Sequence, residues 1–146
     1  MTAHEKESHV EKLRVVIAED HGVIRRFVCA LLGKDFQVVS AVENGEQLVE
    51  AAILFSPDVI VSDIAMPAVD GLLARKQLLR NGIRIPFVFM TLLDSVTLPA
   101  NRHEAPIAFV HKMDLPDELK LAIWAVSDGR PYFSKSFQHG PEDQDS

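Results

Sequence analysis

Residues 58–71 read DVIVSDIAMPAVDG. Val59, Ile60 and Val61 are consecutive branched apolar residues, with no polar position between them. That pattern suits a strand covered on both faces, as in a parallel sheet, rather than one with a wet side. The run closes on Ser62 and Asp63, and Met66-Pro67 and Asp70-Gly71 follow as turn-formers. A carboxylate at the tip of a buried strand is either solvated in a cleft or placed there for chemistry. The neighbouring segments decide between the two.

Outward from this stretch, apolar runs of strand length recur at 13–18 (LRVVIA), 36–40 (FQVVS), 58–62, 86–90 (PFVFM) and 107–111 (IAFVH). Segments with helical spacing lie between them. Ile24, Phe27, Val28 and Leu31 share one helical face, and Leu48, Ala51, Ala52 and Phe55 share another before Ser56-Pro57 stops the helix. A third helix over 72–81 ends in Asn-Gly. The last, over 116–128, has Leu119, Ala122, Ile123 and Val126 in its buried stripe and an acidic first turn containing Pro116. Alternation of this kind predicts a doubly wound α/β fold, a five-stranded parallel sheet with helices on both faces.

The chain has 146 residues, enough for one domain with an ordinary core, and its 47% hydrophobic and 25% charged content is that of a globular protein. No apolar run approaches the about 20 residues that span a bilayer, and the start, MTAHEKESHVEK, is unlike a signal peptide. No membrane association is expected, and the expected location is the cytoplasm. The single Cys29, set among apolar neighbours, reads as a structural thiol. A net charge of −6 without a basic patch argues against direct nucleic-acid binding. Residues 1–12 are expected to form a mobile arm and 130–146 a polar tail, with no DNA-binding domain, leaving 13–129 as the folded unit. His4, His9 and His139 fall in those flanks without metal-ligand spacing.

In open parallel sheets, ligands bind beyond the carboxyl ends of the strands. The first strand is followed there by Glu19 and Asp20, the third by Asp63, the fourth by Thr91 and the fifth by Lys112. Strand-end aspartates often only cap helices, but four strand ends bearing polar groups make a stronger pattern. Three carboxylates brought together would repel one another unless a cation joined them, and an oxygen-only set suits Mg²⁺.

With Glu19-Asp20, Asp63, Met66-Pro67, Asp70-Gly71, Thr91, Phe109 and Lys112 in this order, the chain resembles the receiver domain of bacterial two-component response regulators. Glu19-Asp20-His21 and the ending WAVSDGRPYFS resemble the subfamily that usually carries a helix-turn-helix output domain. The resemblance implies the flavodoxin-like strand order 2-1-3-4-5. It implies Asp63 as phospho-acceptor, supplied by a sensor histidine kinase or phosphotransfer protein. It also implies Mg²⁺ held by Glu19, Asp20, Asp63 and the main-chain carbonyl of Ala65. Lys112 and Thr91 would contact the phosphoryl oxygens, and Thr91 and Phe109 would form a switch. Such a protein catalyses only its own phosphorylation and dephosphorylation, and is not otherwise an enzyme.

Two departures stand out. Leu92 occupies a position that is usually very small in receivers and borders access to the site. The fourth of the five helices, expected near 94–104, contains Pro99 and little apolar periodicity, so it should be irregular or short. Leu121 and Trp124 fall largely off the buried stripe of the last helix and form a candidate interface, including for a homodimer. One alternative is a receiver-fold interaction module that is poorly phosphorylated. A Mg²⁺-dependent phosphohydrolase is disfavoured, because Ala65 stands where its general acid would be.

Overall fold

The computed structural model describes residues 11–137. Strands and helices alternate as β1 (Arg14–Ala18), α1 (Gly22–Leu32), β2 (Gln37–Val42), α2 (Gly45–Phe55), β3 (Val59–Asp63), α3 (Gly71–Arg80) and β4 (Phe87–Thr91). After a long irregular segment come β5 (Ile107–His111), a single 3₁₀ turn, α4 (Leu115–Ser127) and β6 (Tyr132–Phe133). The sheet runs β2-β1-β3-β4-β5-β6, and every neighbouring pair is parallel.

Successive strand residues face opposite sides of a sheet, so a sheet covered twice needs apolar residues at every position. Val15, Ile17, Val59, Val61, Val88 and Met90 pack against Val28 and Leu32 of α1 and Leu119, Ile123 and Val126 of α4. Val16, Ala18, Ile60, Phe87, Phe89 and Phe109 face Leu48 and Ala52 of α2 and Ala74 and Leu78 of α3. Each of the large side chains contributes about 1.5–3 kcal/mol by leaving water. The helix ends follow local chemistry. Asn44 caps α2 by accepting from the Gln47 N–H at 2.8 Å, and Asp70 caps α3 through the Leu73 N–H at 2.8 Å. Ser56 takes a left-handed conformation, φ 44°, to end α2 ahead of Pro57.

Two expectations need correction. In α1 the buried positions are Val28 and Leu32, while Phe27 is 45% exposed. The fourth helix, expected to be irregular or short, is irregular throughout: residues 92–106 contain no helical segment. Pro99 cannot donate a helical bond, and a side chain from α3 supplies the anchorage instead. Arg75, fully buried, donates through Nη1 to Asn101 Oδ1 at 2.5 Å and through Nη2 to the Ala105 carbonyl at 2.9 Å. Val96 and Ala105 are thereby pressed into the core.

The second correction concerns the sheet, which has six strands, not five. Its sixth comes from the segment read as tail. Tyr132 and Phe133 pair with Ala108 and Phe109, while Ser134 and Phe137 are buried. Phe133 and Phe137 join Val96 and Leu98 on the α2/α3 face of the sheet, covering surface that the absent helix leaves open. The rest of both flanks, residues 1–10 and 138–146 with His4, His9 and His139, lies outside the described residues. Among the described residues, no helix is long and apolar enough to cross a membrane.

Candidate functional site

Because β1 and β3 are neighbours, their carboxyl ends bring Glu19 and Asp20 beside Asp63. One oxygen of each carboxylate lies within 4.8 Å of the others. β4 and β5 follow on the other side of β3, carrying Thr91 and Lys112 to the same end of the sheet. The Lys112 ammonium bridges two of the carboxylates, 2.9 Å from Glu19 Oε1 and 3.1 Å from Asp63 Oδ2. Glu19 is fully buried and Asp63 nearly so, whereas Asp20 is exposed.

Main-chain donors complete the arrangement. The Ala65 N–H donates to Asp63 Oδ1 at 3.2 Å, and the His21 N–H to Glu19 Oε2 at 3.1 Å. Arg25, one turn into α1, donates to the Glu19 carbonyl at 2.9 Å and steadies the β1–α1 corner. Thr91 is buried, and its Oγ1 accepts from the Leu93 N–H at 3.0 Å. Its own hydroxyl proton is therefore still available to a second partner. Leu92 is 68% exposed, and Phe109 lies fully inside, its ring 5.6 Å from Phe89 and 6.0 Å from Phe133.

Burial dominates the electrostatics. It pushes the Glu19 carboxyl up to about 7, with the Asp63 carboxylate adding to the rise and the Lys112 ammonium opposing it. For Lys112 burial pulls the other way, but the bonds and charges of Glu19 and Asp63 outweigh it and hold the ammonium above its usual range. A site with more acidic groups than cations, all of them oxygen donors, fits a hard divalent ion such as Mg²⁺.

The turn after β3 holds Asp63 in position. A methyl group on Gly71 would run into the Asp63 main-chain oxygen and come within 2.8 Å of Ser62 Oγ. The Gly71 N–H also donates to the Ile64 carbonyl at 2.8 Å, closing the loop on itself. Two further residues here escaped the sequence reading. Arg25 carries no signal beyond helical spacing. His111 reads as the end of a strand, yet it is buried, with Nε2 3.1 Å from the Leu92 carbonyl and Nδ1 accepting from the Met113 N–H at 3.1 Å. Leu121 and Trp124 are 52% and 44% exposed, and the Trp124 ring packs 4.7 Å from that of Phe36.

A family profile described as the response regulator receiver domain matches residues 15–123. The response regulator GacA of Pseudomonas aeruginosa is 30% identical, with 92% of this chain and 67% of that protein aligned. The transcriptional regulatory protein DegU of Brevibacillus brevis is also 30% identical, over 88% of this chain and 56% of its own length. The chain thus spans a little more than half to two thirds of these relatives. Among solved structures, the signal receiver domain of the response regulator NarL from Mycobacterium tuberculosis superposes with a TM-score of 0.72 at 25% identity. That alignment covers 83% of this chain and all of the other. A two-component response regulator of the LuxR family from Aurantimonas sp. SI85-9A1 shares the fold, with a TM-score of 0.71 at 22% identity, covering 88% and 94% of the two chains.

Proposed function

The chain belongs to the response regulator receiver domains, and on that premise we propose that Asp63 is the acceptor of a phosphoryl group in two-component signalling. The observation that carries this reading is the buried Asp63 carboxylate at the end of β3, bonded to the Lys112 ammonium and the Ala65 amide and flanked by Glu19 and Asp20. The donor is a sensor histidine kinase or a phosphotransfer protein in the cytoplasm. An Asp63 oxygen attacks phosphorus, forming an acyl phosphate. The bond from phosphorus to the donor atom breaks, and its electron pair leaves with the donor.

Transfer of this kind depends on positioning and charge neutralisation more than on covalent assistance. Glu19, Asp20, Asp63 and the Ala65 main-chain carbonyl would hold Mg²⁺, which when bound neutralises charge on the transferring group. Lys112 offers a point charge to a phosphoryl oxygen. Thr91, its oxygen already occupied by the Leu93 N–H, donates its hydroxyl proton to another. Leu92 flanks the entrance that the donor and the hydrolytic water must use. Val23, Leu92, Leu93 and Met113 are exposed apolar residues within a few positions of Asp20, Thr91 and Lys112, and they offer a docking rim for the donor protein. The only turnover is the chain's own phosphorylation and dephosphorylation. Leu121 and Trp124 are the candidate contact for a second copy.

The absent helix supports a second reading, an interaction module that retains the fold and is poorly phosphorylated. Intact-mass measurement after incubation with acetyl phosphate and Mg²⁺ separates the two. The wild-type chain should gain one phosphoryl group, and Asp63→Asn, of nearly equal size, should gain none while remaining folded. Undiminished labelling of the Asn variant would remove Asp63 from the role.

A further inference from the structure

Residues 131–137 are fastened to the elements that flank Lys112. β6 lies along β5, the Ser134 N–H donates to the Phe109 carbonyl at 3.0 Å, and the buried Ser134 Oγ accepts from the His111 N–H at 2.9 Å. Asp114 accepts from the Ser136 N–H at 3.0 Å and from its hydroxyl at 2.8 Å. Burial works against ionisation of Asp114, but donors from Ser134 and Ser136 hold its carboxyl below the usual range. Glu118 accepts from the Tyr132 hydroxyl at 2.7 Å and the Lys135 N–H at 3.0 Å. Two aromatic contacts close the segment: Phe133 stacks on Phe109 at 6.0 Å, and Phe137 meets the His111 ring edge-on at 6.2 Å.

His111 links this segment to the acidic cleft. Its Nδ1 accepts from Met113, so Nε2 carries the proton and donates to the Leu92 carbonyl, next to Thr91. We infer that residues 131–137 are a latch, docked on β5 while Asp63 is unmodified and released when Asp63 is phosphorylated. The inference rests on the phospho-acceptor reading above. When the Thr91 side chain is drawn toward a phosphoryl oxygen, Oγ1 pulls the Leu93 N–H that it accepts from along with it, the 91–93 main chain shifts, and the Leu92 carbonyl leaves His111. The Asp94 carboxylate, 3.4 Å from the same Nε2, is then the acceptor that remains, so the imidazole turns toward it and gives up Phe137. The rest of the segment is held by the two β6 residues, the Ser134 bonds to Phe109 and His111, and the carboxylates of Asp114, Asp117 and Glu118, all at the edge of the sheet, where a segment can open without unfolding the strands within. Release bares the β5 edge and the Phe109 ring.

Coupling of this kind is reciprocal, which supplies a second lever. Hydrogen–deuterium exchange and intact mass should be followed on the same full-length sample, before and after acetyl phosphate and Mg²⁺. Exchange in a peptide covering 131–137 should rise by about tenfold or more in proportion to the phosphorylated fraction, within the usual range for coupled sites, while β1 stays protected. Phe137→Ala, and the milder Ser136→Ala should Phe137→Ala fail to fold, should loosen the segment without phosphate and raise the phosphorylated fraction. Phosphoryl uptake with unchanged protection of 131–137 overturns the latch and leaves Asp63 as acceptor. Uptake by a loosened variant equal to wild type also overturns it. No uptake by the wild-type chain overturns both readings.

Discussion

Glu19 is the residue whose chemistry responds most directly to conditions. Its carboxyl is pushed up to about 7 in the fold, against 4.5 for a freely solvated glutamate, because burial disfavours its charge and Asp63 repels it. The folded chain therefore binds the Glu19 proton more tightly than the unfolded chain does. The stability this contributes is complete below about 4.5 and is lost as pH rises through about 7. Mg²⁺ competes with the same proton, so its stabilising effect should run the opposite way. Thermal midpoints of a metal-free sample at about pH 6 and about pH 8, with and without millimolar Mg²⁺, test this. The rise on adding metal should be larger at the higher pH, and Glu19→Gln should flatten the difference. Equal rises at both pH values would take Glu19 out of the metal's reach. At this scale the sequence was informative where a residue sat at a strand end, as with Asp63 and Lys112. It was silent where a side chain acts across the fold. Arg75 reads as one polar position of a helix, and only the folded chain shows it fastening residues 101 and 105.

The elements show the same division, most clearly in the β3–α3 turn. Asp70-Gly71 is recognisable as a cap and turn, but the reason for glycine emerges only when α3 meets β3. Gly71→Ala would force the Asp63 main chain aside, costing about 1–3 kcal/mol as overpacking does and displacing the carboxylate. Gly82 is a useful contrast, because its φ of 75° makes alanine unfavourable although nothing lies within 4 Å of the added methyl. Both substitutions should lower the unfolding midpoint, and only Gly71→Ala should slow phosphoryl uptake. Wild-type uptake by Gly71→Ala would mean the turn yields without disturbing Asp63. Long buried strands and amphipathic helices were legible because period and burial agree. Two elements were not. The segment after β4 lacks helical periodicity, and its fixed shape comes from Arg75 and Arg84, which lie outside it. β6 has only two residues, amid polar neighbours, so no strand pattern could develop.

Across the whole molecule these departures redistribute the exposed apolar surface. β6 covers the β5 edge, and Phe133 and Phe137 fill the face left by the absent helix, so that side is closed by the chain itself. The α1/α4 layer is different. Phe27, Leu121 and Trp124 stand at 45%, 52% and 44% exposure, and Leu121 and Trp124 are three residues apart on one side of α4. Aromatic anchors of this kind are the commonest energetic centres of protein interfaces. Trp124 is not free of the fold, since its ring tilts against the buried Phe36 at 4.7 Å and helps close the space between α1 and α4. Trp124→Ala should therefore have two effects. Loss of the aromatic pair should lower stability by about 1 kcal/mol. Loss of the projecting half of the ring should weaken self-association. Leu121→Ala, which is not paired with Phe36, should weaken association with a smaller change in midpoint. Sedimentation velocity over a concentration series, with thermal unfolding of the same samples, resolves the two effects. If Trp124→Ala lowers the midpoint while both variants sediment as the wild type does at every concentration, Trp124 serves the α1/α4 packing and the second copy does not dock there.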